Sequence, residues 1–144
     1  MDDDTFGFKE ATKLLQGLRP SERKRLLLDI EKKDSVLANA LRQNLYQFED
    51  LKYMSPLMLI ELLREVSLEK LGVALKSASK ELKAFILDNV STNMKKELLE
   101  NLEGRLVPVS QVESSVAEIM EIVIKKVERG ELVLDQGSND TVIE

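Results

Sequence analysis

Apolar residues recur along the chain at three- and four-residue intervals, and a serine repeatedly interrupts them. In LLREVSLEKLGVALKS, at 62–77, two amphipathic patterns meet at Ser67. Ser21 opens SERKRLLLDIEKK, Ser55 precedes Pro56, and Ser79 opens SKELKAFILDNV. Ser91 opens STNMKKELLENL, and Ser110 opens SQVESSVAEIMEIVIKKVERG. A serine hydroxyl accepts a hydrogen bond from a first-turn N–H that has no intrahelical acceptor, so each marks an expected helix start. Ser110 and Glu113 read as a capping box, and Gly130 after Arg129 as a C-terminal cap. Val112, Val116, Ile119, Val123 and Val127 form the expected inward stripe of the last helix. The pattern predicts an all-α fold of short helices, each about 8–12 residues, which must pack on one another to persist.

A weak internal repeat organises these helices. LLQGLRPSERKRLLLDI at 14–30 resembles LLREVSLEKLGVALKS at 62–77, and SVLANALRQNL at 35–45 resembles KELKAFILDNV at 80–90. The period of about 45 residues is that of armadillo and HEAT-type helical repeats. Such arrays normally need more than two units, so a partner domain is expected to complete the stack. Between the units, NLYQFEDLKYMSP gathers Tyr46, Phe48 and Tyr53, half of the chain's four Phe and two Tyr. It reads as either a hydrophobic staple or a hinge. ELVLDQ, after Gly130, alternates like a short strand or an extended tail, and 135–144 is polar.

Composition narrows the function. The chain has 144 residues, 43% hydrophobic and 33% charged, with six Gly and three Pro, which suits a helical domain. A net charge of -5 disfavours nucleic acid as a partner, because phosphate binding needs a basic face. There is no Cys and no His, so the commonest metal ligands and acid-base group are missing. No nucleophile–base pair, phosphate loop or ligand spacing is visible, so neither an enzyme nor a cofactor is expected. The longest apolar runs are too short to span or insert into a membrane. The basic cluster RPSERKR at 19–25, with Lys32 and Lys33, is interleaved with acids and reads as a solvated helix face. Lys95, Lys96, Glu97, Glu100 and Glu103 read the same way, with Lys96–Glu100 an i,i+4 pair.

From Leu45 to Leu134 the order of motifs resembles the C-terminal region of FliG, the rotor switch protein of the bacterial flagellar motor. The resemblance sits in FEDL at 48–51, LLREVSLEKLGVALKSAS at 62–79, NVS at 89–91, PVSQVE at 108–113 and GELVL at 130–134. Residues 6–44 are similar to the armadillo-like segment that precedes that region. Leu45, Tyr46, Gln47 and Phe48 fall on the family's Met-Phe-x-Phe hinge and keep its apolar character. The resemblance implies an armadillo-like three-helix unit at 1–44, a hinge at 45–53, a six-helix unit at 54–134 and a tail at 135–144. It also implies a ridge of charges facing the membrane-embedded stator.

On that ridge Lys76, in ALKSA, matches the family's lysine. Asn93 stands where the family has arginine. Glu100 keeps the sign of the first of two aspartates, and Asn101 loses that of the second. Pro108 falls on a further arginine, and the chain is one residue shorter than the family between Leu102 and Val107. Lys95 and Lys96 add positive charge nearby. The family's N-terminal domain and its Glu-His-Pro-Gln motif have no counterpart, as fits a short paralogue or a piece of a longer protein. The implied partners are stator and rotor or switch proteins, a second copy, or a FliG-type armadillo domain on which the first unit stacks. The implied location is the cytoplasm, or peripheral to the inner membrane at the basal body. An adaptor or regulator without a torque role remains the alternative.

Overall fold

The structure, a computed structural model, describes residues 2–134, with side chains from residue 7 onward. The tail expected at 135–144 lies outside the described residues. Among these the fold is all-α: α1 (Asp2–Gln16), α2 (Pro20–Lys33), α3 (Ser35–Leu45), α4 (Pro56–Leu63), α5 (Leu68–Ala74), α6 (Lys80–Asp88), α7 (Thr92–Glu103) and α8 (Val109–Glu128). Two 3-10 segments, Phe48–Tyr53 and Leu75–Ser77, complete the order. The chain divides into two compact units, Met1–Gln47 and Phe48–Glu144. Among the described residues the second holds five α-helices and both 3-10 segments; the span 54–134, expected to hold six helices, carries those five and the 3-10 segment Leu75–Ser77. Leu45 closes α3, and Phe48–Tyr53 is a 3-10 segment, so part of the stretch expected as a hinge is regular structure.

The serine rule holds at four starts. The hydroxyls of Ser55, Ser67, Ser79 and Ser91 accept the N–H groups of Met58, Lys70, Leu82 and Met94 at 3.1–3.2 Å. It fails at two. α2 begins at Pro20, because proline's fixed φ suits the first helical position, and Ser21 lies inside the helix. The Arg19 N–H donates to the Glu22 carboxylate there. α8 begins at Val109, because the Pro108 carbonyl already accepts from Gln111 and Val112. The expected Ser110–Glu113 box does not cap that helix.

In the first unit α3 packs on α1 and α2 over Leu15, Leu27, Ala38 and Leu41. The Thr12 hydroxyl donates to the Phe8 carbonyl and accepts from the Asn44 amide, tying α1 to α3. Arg23 of the basic cluster is buried and donates to the Leu15, Gln16 and Leu18 carbonyls, closing the C-terminal end of α1. It serves the fold.

In the second unit the short α5 is the hub, packed between α7 and α8. Leu71, Val73, Leu75, Leu98, Ile119 and Val123 are buried there. Gly72 permits the close approach: a Cβ at that position would lie 2.6 Å from the Asn101 Cβ and 2.9 Å from the Leu98 carbonyl oxygen. On α8 the predicted stripe is buried at Ile119 and Val123 and half-buried at Val112, Val116 and Val127, while Ser115 and Lys126 are buried as well. After α8, Leu132 and Leu134 turn inward and Val133 outward. The expected alternation of burial is present there, and 132–134 carry no regular secondary structure.

Candidate functional site

The candidate charges lie on one side of the second unit, on α5, the 3-10 segment after it, and α7. α7 carries Asn93, Lys96, Glu97 and Glu100 at helical spacing, so one face presents all four. Its opposite side buries Leu98. Glu69, in the first turn of α5, faces this row. Together Glu69, Asn93, Lys96, Glu97, Glu100 and Asn101 line an open depression of about 430 Å³. Four of the six ridge residues expected from the sequence therefore meet at one place. Lys95 is exposed on α7 but does not line the depression. Three carboxylates against one ammonium make its lining acidic.

Lys76 is used differently from an outward-facing charge. Its ammonium donates to the carbonyls of Leu102 at 2.7 Å and Arg105 at 2.8 Å. These oxygens belong to the last turn of α7 and the residues just beyond it, where carbonyls lack intrahelical donors and the helix dipole favours a cation. Lys76 thus closes the turn between α7 and α8. Asn101 is half-buried over Gly72, and its amide donates to the Glu97 carbonyl at 3.0 Å.

Two members of this face, Glu69 and Arg105, were not expected from the sequence, and Glu97 was expected only as part of a solvated helix face. Glu97 was legible, being one helical turn from Asn93 and Glu100. Arg105 and Glu69 were not. They pair at 3.5 Å across the surface although 36 residues separate them. Pro108, aligned with a family arginine, is instead the residue before α8.

Three further polar links hold the scaffold of this face. Glu49, in the 3-10 segment, accepts the Ser79 hydroxyl at 2.5 Å and the Ser79 N–H at 2.8 Å. Burial pushes this carboxyl up, but the Ser79 hydrogen bonds and Lys52 outweigh it and hold Glu49 below the usual value. FEDL and ALKSAS therefore meet through Glu49 and the N-terminal cap of α6. Lys126 pairs with Glu65 at 2.5 Å and Glu131 at 3.5 Å. The hydrogen bond to Glu65 raises its ammonium above the usual value, against partial desolvation. Lys70 also pairs with Glu118, joining α5 to α8.

Among the described residues no group of three or more acidic side chains is set to hold a metal ion, and no helix is long and apolar enough to cross a membrane. The face can offer alternating surface charges to another protein, which favours steering and fast exchange over tight burial.

Residues 28–134 match the family model of the FliG C-terminal domain. The chain is 29% identical over 140 residues to the flagellar motor switch protein FliG of Bacillus subtilis (strain 168), covering 96% of this chain and 41% of that protein. It is 30% identical to FliG of Aquifex aeolicus (strain VF5), covering 88% of this chain and 39% of that protein. The structure of full-length Aquifex aeolicus FliG superposes with a TM-score of 0.77 at 30% identity, over 86% of this chain and 39% of that one. A crystal structure of a FliG segment from H. pylori gives a TM-score of 0.63 at 26% identity, over 86% of this chain and 55% of that one. The chain thus spans about two-fifths of the length of these curated relatives.

Proposed function

The chain belongs to the FliG C-terminal domain family, and from that premise we propose that it serves as a rotor or switch element of the flagellar motor. It binds other proteins through helix faces and surface charge, without catalysis, on the cytoplasmic side of the membrane. The carrying observation is the α5–α7 face, where Asn93, Lys96, Glu100 and Asn101 meet Glu69 and Glu97 in one open depression. That face meets the stator, and Lys76 with Lys95 adds positive charge at its margins. The unit at 1–47 stacks on a FliG-type armadillo domain or on a second copy.

The test is affinity capture from a flagellated cell, with the intact chain as bait. Rotor and stator proteins should be recovered, and Glu100→Lys should reduce recovery of the stator. Recovery of non-motor proteins alone would reject the motor role.

Leu45, Tyr46, Gln47 and Phe48 act as a hinge in this reading. The boundary between the two compact units, after Gln47, supports it. Phe48→Ala should broaden the distance distribution in small-angle scattering, and superimposable profiles would reject the hinge.

One observation favours a second reading, an adaptor without a torque role. Asn93 and Asn101 are neutral, and Lys76 spends its ammonium on backbone carbonyls. Capture of switch proteins without stator would support it.

A further inference from the structure

Only one side of α4 is used by the fold. The helix buries Leu59, Leu62 and Leu63, while Leu57 and Ile60, one turn apart, are 72% and 37% exposed. Tyr53, just before the helix, is 39% exposed. Apolar side chains grouped on one helix face, unlike ones scattered singly, mark a contact surface. Three part-exposed side chains fall well short of the ~800 Å² per partner that a stable interface between copies needs. The face suits a short tethered segment instead, for which the covalent link supplies an effective concentration on the order of mM.

The chain leaves α8 beside this helix. The Lys126 ammonium pairs with Glu65, two residues past the end of α4, and with Glu131, at 2.5 and 3.5 Å. Leu132 and Leu134 are buried, which fixes the exit point. Glu65 is eight residues from Leu57, about 12 Å at helical rise. Val142 is eight residues from Leu134, a chain length that spans up to ~26 Å. Val142 and Ile143 are the only large apolar residues of 135–144, and Asp140 precedes them. Arg64, one turn beyond Ile60, has a side chain 72% exposed that meets Glu61 only at 3.9 Å.

We propose that Val142 and Ile143 cover the Leu57–Ile60 face of α4 within the same chain, with Arg64 taking the Asp140 carboxylate. The contact lies inside the second unit and does not depend on the motor reading. It is small and solvated, so it exchanges, and a protein that takes the α4 face must first displace the tail.

The test is paramagnetic relaxation enhancement on the full chain. The chain has no cysteine, so E144C gives a single site for a spin label. The amides of Leu57 and Ile60 should broaden more than those of Glu81 on α6 and Glu97 on α7, both exposed. Adding V142S and I143S should lower the docked-to-free ratio about tenfold and remove most of that excess. Chemical shifts of the buried Leu71 and Val123 should stay in place, so that a lost contact is not a lost fold.

Equal broadening with and without V142S and I143S would overturn the proposal. So would the same broadening in a mixture of spin-labelled chain and isotope-labelled, cysteine-free chain, because a second copy then covers the face. A profile with no excess at residues 57 and 60 would overturn it as well and leave α4 open to another protein.

Discussion

Gly72 and Glu49 show how much rests on single residues here. Gly72 lies inside α5, where alanine would favour the helix by up to ~1 kcal/mol. The added Cβ, however, meets the Asn101 Cβ at 2.6 Å and backbone oxygen at 2.9 Å. Overpacking of that kind costs about 1–3 kcal/mol, and the backbone cannot swing aside as a side-chain tip could. Gly72→Ala should therefore lose roughly 1–2 kcal/mol net in denaturant unfolding. An unchanged midpoint would mean that α7 shifts freely on α5. Glu49→Gln removes a charged acceptor from Ser79. Its carboxylate is 39% exposed, so the loss should be only about 1 kcal/mol at neutral pH. The folded carboxyl titrates below its ordinary value of 4.5. Its contribution is thus present above pH 4.5 and is lost as pH falls through the lowered value. The stability gap between parent and Glu49→Gln should close on acidification below that point, and a gap constant from pH 7 to pH 3 would reject the ionic account.

At the level of the element, helix ends are where this chain invests its polar side chains. α8 stops in a Schellman turn: Gly130 has φ +77, its N–H donates to the Val127 carbonyl, and the Glu131 N–H donates to the Lys126 carbonyl. Gly130→Ala places a Cβ in the left-handed region and should cost about 1–2 kcal/mol by thermal unfolding. No clash adds to that, since nothing lies within 4 Å of the site. Lys126 sits in the same last turn and joins α8 to Glu65 and Glu131. Its ammonium is raised above the ordinary 10.5, so its stabilisation is complete below pH 10.5 and fades as pH rises through the higher folded value. Lys126→Met should lower the melting temperature at neutral pH, and the deficit should shrink above pH 10.5.

For the whole molecule, the division at Gln47 and Phe48 sets what each part can do alone. The first unit has three helices and a small core around Leu15, Leu27 and Leu41. A unit of that size buries too small a fraction of its surface to be more than marginal. The second unit has a larger core, organised around α5, and polar links that tie distant segments together. A fragment spanning 48–144 should unfold in one cooperative transition near the parent's melting temperature, as followed by circular dichroism. A fragment spanning 1–47 should be largely unfolded at 25 °C. Two-step unfolding of the 48–144 fragment would count against α5 as a hub.

The sequence by itself determined the all-α class, the family and four of the helix starts, because these depend on neighbours three or four residues away. Ser55, Ser67, Ser79 and Ser91 cap N–H groups three positions on, a relation any short window contains. It misplaced the starts of α2 and α8, where the backbone of a proline or its neighbour had begun the helix first. The spacing on α7 was enough to gather Asn93, Lys96 and Glu100 on one side. Only the tertiary structure decided what each charge does. Lys76 reaches carbonyls 26 and 29 residues away, Glu49 a cap 30 residues away, and Arg105 a carboxylate 36 residues away. Such partners meet only after α5, α7 and the turns between them have packed. A side chain's charge is written locally, but whether it faces solvent or closes a helix end depends on which backbone arrives beside it.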